Sequence, residues 1–99
     1  MTLADFKESL QTPIPPTGIS VYLEALWYDG KNNWQKAHSL IDQLDGETAA
    51  WVHAYLHRKE GDTFNAGYWY KRAGKTVCKE SVEKEWGALV KEFLKQGDD

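Results

Sequence analysis

The sequence has one cysteine, Cys78, no apolar run near the roughly 20 residues that cross a membrane, and no concentration of basic residues. Each shortage removes a class of function. A lone thiol closes no internal disulfide, and an unpaired cysteine suits a reducing compartment, so a cytoplasmic location is expected. The opening MTLADFKESL carries acidic residues and no apolar centre of signal-peptide type, so neither secretion nor a membrane is expected. Lys and Arg number 12 against 15 Asp and Glu, for a net charge of -3. That mixed surface lacks the basic face that phosphate contacts need, and nucleic acid is not an expected partner. Ninety-nine residues give one domain with a modest core and no room for a separate catalytic unit.

Aromatic rings are in excess. They make up 13% of the chain and include five Trp and five Tyr, a composition that asks for an aromatic core or a binding groove.

In chain order the pattern predicts helices throughout, an all-α fold. Thr2 and Asp5 have capping-box spacing, and Leu3, Phe6 and Leu10 recur on one face of a short leading helix. Pro13, Pro15 and Pro16 then impose a linker up to residue 17. Residues 18–45 form a first helix pair. Its inner helix, Gly18 to Asp29, is apolar on more than one side and stops at Gly30. Asn32 or Asn33 caps the outer helix, which turns Trp34, Ala37, Leu40, Ile41 and Leu44 inward. Residues 46–74 form a second pair: Thr48 to Glu60, apolar almost all round, then a stop at Gly61, a cap at Asp62 and a final stop at Gly74. In its second helix Ala66, Trp69, Tyr70 and Ala73 share one face, while Phe64 and Tyr68 make another. Residues 78–97 close the chain with an amphipathic cap, burying Val82, Trp86, Leu89, Val90 and Phe93 and exposing Lys84, Glu85, Lys91, Glu92 and Lys95.

The two pairs align with each other. LWYDGKNNWQKA (26–37) matches YLHRKEGDTFNA (55–66), and Ala37 to Ala66 sets a period of 29 residues. With small alanines where two helices approach, the array resembles tetratricopeptide and Sel1-like repeats, although the W-x2-L-G-x2-Y signature is absent. The segments LWYDGK, WQKAHSL, WVHAYLHRKEGD and NAGYWYKRAG are also similar to a group of short bacterial proteins that carry no established activity to transfer. The resemblance implies stacked helix pairs in a right-handed array with a concave recognition surface.

Chemistry-bearing residues are few. His53 and His57 lie four apart on one helix, a spacing that suits two imidazoles on one Zn²⁺, with His38, Glu24 or Glu60 as third ligands. HAYLH has no Glu after its first His, so a zincin base is missing, and packed histidines without a metal or cofactor are the expectation. Glu24 sits in an otherwise apolar helix and reads either as a structural bond to Arg72 or a tyrosine, or as a lone general acid or base. Cys78, near Lys75 and Lys79, reads as a small apolar filler. The rings Trp27, Tyr28, Trp51, Tyr55, Tyr68 and Trp69 exceed what the inward stripes need. Trp51, Tyr55 and Arg58 form one row with the composition of an interface hot spot. No complete catalytic set accompanies them. The expected function is recognition of a protein or peptide in an aromatic groove between the pairs. The alternatives are a small-molecule or metal pocket, enzymatic in one version, around Glu24, His53 and His57, and a homo-oligomer that hides the surplus rings.

Overall fold

The computed structural model describes residues 1–96, and among these it has six α-helices and no strand. They are α1 (Leu3–Ser9), α2 (Val21–Gly30), α3 (Trp34–Ile41), α4 (Glu47–Lys59), α5 (Thr63–Ala73) and α6 (Val82–Gln96). Gly97, assigned to the closing helix by its pattern, lies outside the described residues.

Local chemistry sets the helix starts. The Thr2 and Asp5 side chains satisfy each other's backbone N–H in a capping box. Ser20, Asn33 and Asp62 each accept a hydrogen bond from the backbone N–H three residues on, so α2 begins at Val21 and not at Gly18.

The 29-residue period is present in the turns themselves. Asn33 N–H donates to the Tyr28 carbonyl at 2.9 Å, and Asp62 N–H to the His57 carbonyl at 2.9 Å. Between these bonds Asn32 (φ 63°) and Gly61 (φ 91°) hold the same left-handed position. Asparagine tolerates that region through its short polar side chain, so Asn32 makes the turn assigned to Gly30 by sequence. Gly30 ends α2 for another reason. A Cβ there would meet both Leu10 methyls at 3.1 Å and the Trp86 ring at 3.3 Å, so its bare Cα lets α1 and α6 close on α2.

α4 is the hub. α2, α3, α5 and α6 all pack against it, and it buries Ala49, Ala50, Val52, His53, Ala54, Tyr55 and Leu56. α2 packs on α3 and α4 on α5, while α1 rests on α6. The main core joins Phe6, Leu26, Trp27, Ile41, Leu56, Trp86, Leu89 and Val90, and a second cluster of Ala54, Ala66 and Tyr70 lies between α4 and α5. Buried indoles find acceptors: Trp86 Nε1 donates to the Leu26 carbonyl at 2.9 Å, and Trp27 Nε1 to Ser9 Oγ at 3.1 Å. Leu44 is exposed, because α3 ends at Ile41 and turns it away from the inward stripe. No helix among the described residues is long and apolar enough to cross a membrane.

Candidate functional site

The row Trp51, Tyr55 and Arg58 does not share one groove: Trp51 and Tyr55 border different cavities. α6 lies across it, and each member has a partner there or on α2. Trp51 is half-buried, edge-on to Phe93 at 5.6 Å, with Lys75 Nζ over its ring at 4.3 Å. Tyr55 is buried and donates its hydroxyl to Asp29 Oδ2 at 2.6 Å. Arg58 Nη1 donates to Glu85 Oε1 at 2.9 Å, and its other terminal nitrogen reaches the Glu80 carbonyl.

These contacts belong to two matched clasps. Asp29 is buried and takes Tyr55 on one oxygen and Lys59 Nζ, at 2.9 Å, on the other. Glu85, expected on the solvent face, is 3% exposed and takes Arg58 on one oxygen and the Tyr70 hydroxyl on the other. A carboxylate leaves water in a helical core only when both oxygens are met, and here a tyrosine and a cation meet each. Burial, followed by the Asp29 charge, pushes the Tyr55 phenol above its usual range. Burial, followed by its bond to Glu85, does the same for Tyr70. Both hydroxyls therefore stay protonated as donors at any physiological pH.

The other expected binding residues are spread out. Trp27 is buried with its indole N–H on Ser9. Tyr28 is half-buried, edge-on to Trp27 at 5.1 Å, with Lys36 Nζ 5.6 Å from its centroid. Glu24 is half-buried on α2 and makes no side-chain hydrogen bond or ion pair among the described residues; Arg72 bonds Tyr68 instead. Tyr68 is half-exposed on α5.

Around Tyr68 the molecule does present rings to solvent. Phe64 is 88% exposed one turn before it, and the Arg72 guanidinium donates to the Tyr68 hydroxyl at 2.9 Å. The same guanidinium lies 5.7 Å from the Tyr68 centroid and 5.4 Å from that of Trp69. α5 packs principally on α4, which leaves this outer face uncovered among the described residues.

On the opposite flank of α4, all three histidines of the sequence meet. The His38 and His53 rings are 5.1 Å apart, His38 and His57 5.4 Å, and His53 and His57 5.8 Å. Trp34 stacks on His38 at 4.9 Å, and Trp69 stands edge-on to His53 at 4.1 Å. His53 is 3% exposed, and neither of its ring nitrogens has a hydrogen-bond partner among the described residues. Burial, then the neighbouring His38 and His57, lowers its imidazole from 6.5 to about 4, so it is neutral at pH 7. His57 is otherwise engaged, its Nδ1 2.7 Å from Glu60 Oε2.

Among the described residues there are two donor groups: His38, Asp42 and His53, and His57, Glu60 and Asp62. His53 and His57, paired by their spacing, divide between them, and Glu24 joins neither. Sequence reasoning passed over Asp42, whose signal is its place four residues after His38 on the same helix face.

No family model matches this chain. No curated protein and no solved structure shows significant similarity to it.

Proposed function

We propose that the chain is a tetratricopeptide-like interaction domain that binds a protein or peptide through the outer face of α5. The carrying observation is the set Phe64, Tyr68, Trp69 and Arg72, in which an 88% exposed ring adjoins two aromatics already ordered by a guanidinium. Tyrosine, tryptophan and arginine recur where a few side chains carry most of the binding energy, and rings held in place lose little entropy on docking. Lys71 and Arg72 make the end of the face basic, which favours a partner whose carboxylates flank an apolar anchor. The repeated turn at Asn32 and Gly61 supports the repeat reading, in which the last outer helix of an array offers its free side to the next element.

The test is photo-crosslinking from position 64 with benzoylphenylalanine in place of Phe64, alongside affinity capture with wild type and Phe64→Ala/Arg72→Ala. A protein crosslinked from position 64 and lost by the double variant supports the assignment. Identical captures by both proteins, or crosslinks no different from a position on α1, refute it. If the crosslinked partner is a second copy of the chain, sedimentation velocity will show a dimer that the double variant does not form.

A further inference from the structure

We propose that His38, Asp42 and His53 form a binding site for a divalent metal ion of the zinc class, with three protein ligands and an open position for water or an external ligand. Nε2 of His38 lies 3.8 Å and Nε2 of His53 3.7 Å from the same oxygen, Asp42 Oδ1, and the three donors lie within 4.8 Å of one another. Ligands on a tetrahedral ion at ordinary Zn–N and Zn–O lengths are about 3.3 Å apart, so the two histidine–aspartate edges each close by about 0.4–0.5 Å when the site forms. Two imidazoles on one such ion hold their centroids about 5 Å apart. The His38 and His53 rings stand at 5.1 Å with 19° between their planes.

His53 supplies the independent observation. A buried imidazole without a partner on either nitrogen is an unmet polar group in a core where the other buried polar side chains, Asp29 and Glu85, are doubly bonded. A metal on Nε2 meets the need of that nitrogen and fixes the proton on Nδ1. A protein hydrogen bond does not, since the facing oxygen is 3.7 Å away and shared with His38.

Two imidazoles and one carboxylate suit zinc, and leave a coordination position free, as in sites that activate water or take an external donor. The indoles of Trp34 and Trp69 wall the rings on either side and hold them in place. A cavity of about 320 Å³ opens beside Asp42 and is lined also by Trp69 and Arg72. Asp45 and Glu47 face the same cavity as Arg72, so its wall is acidic on balance and the open position is left to water.

The test uses tag-free protein stripped with a chelator. Zn²⁺ is titrated against a chromophoric competitor, Co²⁺ is added separately to read visible absorption, and imidazole resonances are followed by ¹⁵N NMR. One equivalent of Zn²⁺ is expected, with shifts at His38 and His53 and intense cobalt bands of low coordination number. His53→Ala risks unfolding because the ring is buried. His38→Ala and Asp42→Asn change partly exposed residues, and each should weaken Zn²⁺ binding about 100-fold or more while the helical spectrum is retained. Glu60→Gln should leave it unchanged. Absence of binding at millimolar Zn²⁺, full affinity in His38→Ala and Asp42→Asn, or loss of binding in Glu60→Gln alone would each overturn the assignment.

Discussion

The molecule carries the same three side-chain types, Trp, Tyr and Arg, on two neighbouring helices, with opposite outcomes. On α4, Trp51 packs against α6, while Tyr55 and Arg58 are tied to two buried carboxylates, Asp29 of α2 and Glu85 of α6. On α5, Tyr68 and Arg72 are tied to each other and to Trp69, which itself packs on His53, and Phe64 beside them is exposed. Composition therefore does not separate an exposed face from a clasp; the difference lies in whether another helix brings an acid to the row. α6 brings Glu85 to Arg58 and α2 brings Asp29 to Tyr55, whereas on α5 Glu85 reaches Tyr70 and no acid meets Tyr68, Trp69 or Arg72 among the described residues.

That contrast is broken most severely by freeing α6. Trp86→Ala should cost about 3–5 kcal/mol by chemical denaturation, since it removes a buried indole and its bond to the Leu26 carbonyl. A loss under 1 kcal/mol would mean that α6 does not clamp the row. Arg58→Ala should cost about 3 kcal/mol by leaving Glu85 buried without its cation, whereas Arg72→Ala should leave the midpoint almost unchanged. Equal effects of the two arginine variants would erase the distinction.

Acid probes the flank of α4 beneath Trp69. His53 protonates near 6.5 in the unfolded chain and near 4 in the folded one, so between these values the unfolded state binds more protons. Metal-free protein should therefore lose stability as pH falls through this interval, by up to about 3 kcal/mol, with no further loss from this group below it. His53→Gln should flatten that part of the curve; an unchanged slope would assign the acid sensitivity elsewhere. The smallest effect belongs to the open face. Phe64→Ala should change stability by less than about 0.5 kcal/mol, and a larger loss would show the ring to be packed.

What could be read from sequence divides along the same line. Caps and turns are decided within four or five residues, so Thr2, Asp62, Gly61 and Gly74 were legible from their neighbours, and the α3 cap was narrowed to Asn32 or Asn33, of which Asn33 is the cap. So was the central position of α4, whose apolar residues have no polar side to turn outward. Gly30 was misread because its role is to admit Leu10 and Trp86, which arrive from distant parts of the chain. Glu85 looked like part of a solvent face because its partners, Arg58 and Tyr70, lie 27 and 15 residues away. The histidines were half legible: the four-residue spacing of His53 and His57 drew notice, but the fold pairs His53 with His38 and Asp42 across two helices.

Both clasps have one end on α4, which lies against four other helices, and this sets the order in which backbone amides meet solvent. The N–H groups of Val52 to Leu56 have no route to exchange short of losing the whole core, so their deuterium uptake reports the global free energy of unfolding. α1, seven residues held through Phe6 and a capping box, can lift away while that centre stays closed, and its amides exchange sooner. A slow protected centre inside faster-exchanging ends is the dynamic form of a protein built around one helix.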